Sequence, residues 1–118
     1  WLTVKSPESG IGRYEFEYLI PYEDAETLWK LSTNRVLKTR YQIEYMEEYW
    51  IVDCFEGANE PLVLAEVELA FAEQKIDIPD WCGMEVTSEP CFFNAALAQS
   101  PIATWPEIVL EKYEIKKT

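Results

Sequence analysis

Charged and apolar side chains alternate with a period of two along five segments of this chain, which is the period that a β-strand imposes. The pattern is strongest in LVLAEVEL, residues 62–69, where Glu66 and Glu68 share a face with Leu62 and Leu64. Two carboxylates in such an apolar run are costly to bury unless a metal ion or basic side chains pair with them. The segment therefore predicts a strand whose acids have a partner of opposite charge.

The four upstream segments also carry charges on one face and apolar residues on the other. They are WLTVKS (1–6), RYEFEYLIP (13–21), RVLKTRYQIEY (35–45) and YWIVDCF (49–55). A sheet with one face in water alternates in this way. The alternative is a barrel or tunnel with a charged interior. This alternative is favoured because the charges have apolar neighbours on their own face, as Asp53 has in Ile51 and Phe55.

The charged faces combine cations with anions. The set is Lys5, Arg13, Lys38 and Arg40 with Glu15, Glu17, Asp53, Glu66 and Glu68. Carboxylates are hard oxygen ligands that suit Mg²⁺ or Mn²⁺, whereas lysine and arginine suit a polyanion. Acids for a metal and bases for phosphate in one cavity are what metal-assisted phosphoryl transfer requires.

Composition restricts the function further. A chain of 118 residues is one domain, and its net charge of −12 argues against nucleic acid or an anionic membrane as the main partner. The absence of histidine excludes Ser–His and Cys–His catalysis and imidazole metal ligands. The three cysteines form no CxxC pair, which predicts free thiols in a cytoplasmic protein.

The order of the segments predicts the remaining elements. A Pro/Gly-rich turn at 7–12 predicts that the first two strands form a hairpin, and residues 22–32 read as a helix. A tight turn is expected near 46–48, a strand over 62–71 and a short helix over 92–99. The tail, 106–118, is amphipathic and fits either a helix or a strand. Because the chain begins at Trp1 inside a strand, we expect the start of the domain to lie before it.

Several of these segments, in order, resemble the motifs of the CYTH superfamily, the triphosphate tunnel metalloenzymes. They are RYEFEYLIP, LKTRY, YWIVDCFEG, LVLAEVEL, IPDWCGMEVT and FFNAALA. The superfamily includes inorganic triphosphatases, thiamine triphosphatase and class IV adenylate cyclase. The resemblance implies an α+β fold: an antiparallel β-tunnel, incomplete here, with helices packed on its outside. It implies that residues 1–106 are the C-terminal portion of a CYTH-like domain and that 107–118 are an extension.

The resemblance also implies site residues. Phosphate would be bound by Lys5, Arg13, Lys38 and Arg40. Mg²⁺ or Mn²⁺ would be held by Glu15, Glu17, Asp53, Glu66 and Glu68. Catalysis would rest on Lys38, Arg40, Glu66 and Glu68.

One departure from the family pattern leaves the function open. The family's E-x-E-x-K motif and the arginine-bearing strand after it are missing, and both would lie before Trp1. The expected function is metal-dependent hydrolysis of a triphosphate, provided that those strands are supplied. The alternatives are a polyphosphate- or nucleotide-binding domain without turnover, an adenylate cyclase, and a structural half-barrel that packs on another chain. Open strand edges would favour a homo-oligomer.

Overall fold

A computed structural model describes residues 1–7 and 14–116. The elements in chain order are β1 (Leu2–Lys5), β2 (Glu15–Tyr18), α1 (Tyr22–Leu31), β3 (Leu37–Tyr45), β4 (Glu48–Glu56), β5 (Val63–Val67), α2 (Asn94–Gln99) and α3 (Glu107–Lys112). Short 3₁₀ turns lie at Gly57–Asn59, Pro90–Phe92 and Ile102–Thr104. The chain forms two compact units, Trp1–Arg35 and Val36–Thr118.

The first unit contains a hairpin and a helix. Strands β1 and β2 pair antiparallel, with Lys5 opposite Glu15 and Thr3 opposite Glu17. Helix α1 follows Pro21, and its first turn carries Glu23 and Asp24, acids that the positive end of a helix dipole favours. The predicted pairing and the predicted helix are both confirmed. Most of the predicted turn, and Arg13, lie outside the described residues.

The second unit is built on an antiparallel sheet in which β4 lies between β3 and β5. Strands β3 and β4 are joined by the predicted tight turn, at Met46 and Glu47. The pairing places Arg40 opposite Asp53, and Asp53 opposite Leu64. Residues that lie directly opposite in a sheet point to the same face. The face that carries Arg40 and Asp53 therefore also carries Lys38, Phe55 and Glu66, and we call it the charged face.

An apolar core lies at the Phe55 end of the charged face. The buried residues of this core come from β4, from the turn before β5 and from the C-terminal segments: Phe55, Leu62, Phe92, Leu97, Ile102 and Leu110. Asn59 is also buried, and its side-chain oxygen accepts a 3.0 Å hydrogen bond from the backbone N–H of Ile102. This contact joins the turn after β4 to the segment after α2, so it fixes two parts of the core that are 43 positions apart in the chain.

The opposite face of the sheet carries Trp50 and Val52, and both are buried. Trp81 packs edge-on against Trp50, with 5.9 Å between ring centroids. Gln74 donates a 3.0 Å hydrogen bond to the Glu48 carboxylate on β4. The irregular segment between β5 and α2 thus contacts this face, which leaves the charged face as the place for polar chemistry.

The predicted α+β class with antiparallel sheets is confirmed. Within residues 1–7 and 14–116 the sheets are open, and none closes into a barrel, as an incomplete tunnel predicts. The extent predicted for the last strand was wrong, because β5 ends at Val67 instead of Phe71. Glu68 therefore lies just beyond the sheet. The tail begins with α3, and the predicted domain boundary at residue 106 stays a prediction. No described helix has the length and apolarity needed to cross a membrane.

Candidate functional site

A buried carboxylate, Asp53, lies at the centre of a cluster of charged side chains in the second unit. Its side chain is only 9% exposed. Arg40 Nε donates to Oδ1 at 2.8 Å, and Arg40 Nη2 donates to Oδ2 at 3.0 Å. Lys38 Nζ donates to Oδ2 at 2.8 Å. Both oxygens of this carboxylate are therefore occupied by cationic donors, which compensates for its removal from water.

The pairing of β3 with β4 produces this cluster. Arg40 lies directly opposite Asp53, and Lys38 lies two residues before Arg40 on β3, opposite Phe55. Direct and diagonal neighbours on one face of an antiparallel pair are within reach of long side chains. The alternation KTR in β3 thus sends both cations to Asp53, the acid on the charged face of the central strand.

Asp53 and Arg40 stabilise each other in their ionised forms. Burial raises the pKa of Asp53, but the hydrogen bonds from Arg40 and Lys38 and the positive charges of these two residues together outweigh burial and hold that pKa below its usual value. The hydrogen bond to Asp53 raises the pKa of Arg40, and the negative charges of Asp53 and Glu66 raise it further. Lys38, Arg40 and the buried Asp53 by themselves carry one surplus positive charge, and the exposed Glu66 lies on the same face.

The surplus donors of the cluster point to an anionic ligand. Arg40 is 53% exposed, and within the described part of the chain it uses two of its five N–H donors on Asp53. Lys38 is 20% exposed. A partly exposed guanidinium beside a fixed ammonium group can bind phosphate oxygens, because arginine offers a fork of donors and lysine a point charge.

Lys38 has two further neighbours, and one of them was missed by the sequence analysis. Lys38 Nζ donates to Asn94 Oδ1 at 3.1 Å and lies 5.5 Å from the centre of the Phe55 ring. Asn94 belongs to the quoted segment FFNAALA, but no role was assigned to it. A polar residue at the start of a short helix indicates only a helix end. The one feature of the sequence that could have indicated a role for Asn94 is its position in this motif.

The predicted acids are distributed unevenly around this cluster. Glu66 lies on the charged face of β5, opposite Ile51, and is exposed. Glu68 lies outside the strand. Among the residues that the structure describes, no group of three or more carboxylate or thiol side chains could hold a metal ion. The described acids thus form no such group, and the assignment of metal ligands stays a prediction for the whole set: Glu15, Glu17, Asp53, Glu66 and Glu68.

The remaining predicted residues belong to the first unit. Lys5 lies opposite Glu15, and Glu17 is two residues along β2, so all three share one face of the hairpin. All three are exposed. Arg13 lies outside the described residues. The structure thus groups Lys38, Arg40, Asp53 and Glu66 in one unit, and Lys5, Glu15 and Glu17 in the other.

Two proteins named inorganic triphosphatase are similar to this chain over most of its length. The protein from Acetivibrio thermocellus is 41% identical over 109 residues, which cover 91% of this chain and 70% of the relative. The protein from Nitrosomonas europaea is 38% identical over 104 residues, which cover 85% of this chain and 68% of the relative. No family model matches the chain. No solved structure matches it.

Proposed function

The chain belongs to the family of the inorganic triphosphatases, and on this premise we propose that it hydrolyses the terminal phosphoanhydride bond of a triphosphate. The observation that carries the proposal is the cluster of Lys38, Arg40 and Asp53. It presents one surplus positive charge on a chain whose net charge is −12. The positive charge of this cluster and the names of the two relatives both favour a triphosphate as the ligand.

In this proposal the two cations bind the phosphate oxygens. Arg40 supplies a pair of N–H donors, and Lys38 supplies a compact charge held in place by its partners. Asp53 fixes both cations, because each of its oxygens accepts a hydrogen bond from one or both of them. A buried carboxylate thereby acts as a positioning group for two phosphate-binding side chains.

Fixed positive charge also accounts for acceleration of the reaction. When water attacks the terminal phosphorus, the P–O bond to the leaving diphosphate breaks and negative charge grows on the leaving oxygen. Donors that are already oriented stabilise that charge without rearranging during the step. We assign this role to Lys38 and Arg40. To the exposed carboxylate of Glu66, on the same face, we assign the role of accepting a hydrogen bond from the attacking water.

The finer assignments rest on the sequence motifs. We propose membership of the CYTH superfamily and a requirement for Mg²⁺ or Mn²⁺, held by acids of the set Glu15, Glu17, Asp53, Glu66 and Glu68. A bound divalent cation would neutralise phosphate charge. Because the described acids form no group of three or more that could hold a metal ion, the roles given above belong to Lys38, Arg40, Asp53 and Glu66 and include no step at a metal ion.

The proposal is tested by phosphate release from inorganic triphosphate with the intact protein, supplied with Mg²⁺ or Mn²⁺. Lys38→Met should lower kcat/KM by about 100-fold or more, the scale of losing one oriented donor to developing charge. Lys75→Met removes an exposed lysine outside the site and should leave the rate within about twofold.

Two results would contradict the proposal. One is a Lys38→Met variant as active as the wild type, which would remove the cluster from the mechanism. The other is a wild-type protein that binds triphosphate in a titration but releases no phosphate from it. That second result would support the alternative of a triphosphate-binding domain without turnover.

A further inference from the structure

We propose that Asn94 is a positioning residue for the site: it aims the Lys38 ammonium group at the bound phosphate. This inference rests on the proposed function. Its starting observation is the 3.1 Å hydrogen bond from Lys38 Nζ to Asn94 Oδ1, between residues 56 positions apart in the chain. Lys38 thus has one charged acceptor on the sheet and one neutral acceptor on the C-terminal segment.

The C-terminal segment that carries Asn94 is anchored in the core. Phe92, two residues before it, is buried, and Leu97, three residues after it, is fully buried. Phe92 and Leu97 belong to the same core cluster as Phe55, whose ring lies beside Lys38 Nζ. The backbone that bears Asn94 is therefore fixed relative to the strand that bears Asp53.

A second acceptor matters because a lysine side chain has four rotatable bonds and loses conformational entropy when it is fixed. With Asp53 alone, the ammonium group can rotate about a single acceptor. With Asp53 and Asn94 together, two of its three N–H donors are directed, and the third has a defined direction. We infer that this third donor is the one that meets the phosphate.

The chemical identity of Asn94 suits this role. Lysine has donors only, so the amide must turn its oxygen toward Lys38. An amide oxygen accepts the hydrogen bond without adding negative charge. The surplus positive charge of the cluster is thereby kept for the ligand, whereas a carboxylate at this position would cancel it.

The test is a double-mutant cycle on triphosphate affinity, measured by isothermal titration calorimetry with inorganic triphosphate and the intact protein. Asn94→Ala should weaken binding about 10-fold, the scale of one hydrogen bond to a charged group. In the Lys38→Met background the same change should have less than about a twofold effect, because the group that Asn94 positions is gone. Gln99→Ala, at the other end of α2 and also exposed, should bind like the wild type.

Three outcomes would overturn the inference. One is unchanged or tighter binding by Asn94→Ala. Another is an equal loss in the presence and absence of Lys38, which would show that Asn94 acts on the fold and not on the ammonium group. A thermal melt checks that each variant is folded, because the expected loss of triphosphate affinity must be seen in folded Asn94→Ala protein. The third is normal triphosphate affinity of the Lys38→Met variant, which would overturn both the proposed function and this inference. Normal affinity of Asn94→Ala together with weakened affinity of Lys38→Met would overturn the inference alone.

Discussion

Asp53 is the residue on which the charged face depends. Its side chain is almost withdrawn from solvent, a position that an ionised carboxylate tolerates only when its oxygens are hydrogen-bonded. Lys38 and Arg40 provide those bonds and in return are held close together, although two cations repel each other. The same contacts thus stabilise the sheet and prepare the proposed phosphate site.

Replacing Asp53 by asparagine should lower the free energy of unfolding by about 1–3 kcal/mol at pH 7, because the charge-assisted hydrogen bonds are lost and two cations remain side by side. The folded-state pKa of Asp53 lies below its unfolded value, so its contribution is complete above the unfolded pKa of about 3.9. That contribution is lost as the pH falls through the lower, folded-state pKa. Urea unfolding at neutral and acid pH measures the difference.

The exposed Asp77→Asn is the control for this prediction and should change stability by less than about 0.5 kcal/mol. The gap between wild type and Asp53→Asn should narrow as the pH falls below about 4. A gap of constant size down to the lowest pH at which both proteins stay folded would show that charge pairing at Asp53 is not its cause.

For single residues, alternation predicts the sheet face on which a side chain lies but not the residue that it contacts. The period of two placed Lys38, Arg40 and Asp53 on charged faces, and the structure has all three on one face. The pairing of Asp53 with both cations depends on the register between strands, which alternation alone does not specify. The contact with Asn94 joins residues 56 positions apart, and a local pattern holds no information about such a distance.

Among the elements, the β3–β4 hairpin sets that register. Its turn residues, Met46 and Glu47, have φ values of 49° and 66°. Two successive residues with positive φ make the turn that matches the twist of a hairpin, but glycine and asparagine adopt this conformation at lower cost than Met or Glu. The turn could be predicted from its position between two alternating strands, whereas its residues are atypical of its conformation.

Replacing the turn by Met46→Asn with Glu47→Gly should therefore raise the free energy of unfolding, by about 1–2 kcal/mol. Phosphate release should stay unchanged, since the turn residues are not among those of the site. Urea unfolding checks the first expectation. A turn variant no more stable than the wild type would argue against strain at Met46 and Glu47.

Gly57→Ala tests the same principle in reverse. At φ 64° an added Cβ would meet no atom within 4 Å, so a loss of stability there would report backbone strain alone.

For the whole molecule, the charge pattern is the feature that most needs explanation. A net charge of −12 repels a triphosphate at long range, and salt screens this repulsion over about 10 Å at 0.1 M ionic strength. Binding must therefore come from local donors that overcome the general field. The α+β class and the antiparallel sheet could be predicted from alternation. The packing of Phe92, Leu97, Ile102 and Leu110 against β4 could not be predicted, because a local pattern does not show which strand a distant segment contacts.

Lys38 and Arg40 together bind the triphosphate in the function proposed above. Isothermal titration of inorganic triphosphate into two double variants tests it most directly, because both variants remove two positive charges from the chain. Lys38→Met/Arg40→Gln removes the charges of the site, and Lys30→Met/Lys75→Met removes two exposed charges elsewhere. We expect the site variant to lose about 100-fold or more in affinity and the control to stay within about threefold of the wild type. Equal affinities for the two double variants would contradict the account, since they would show that net charge, and not this cluster, determines binding.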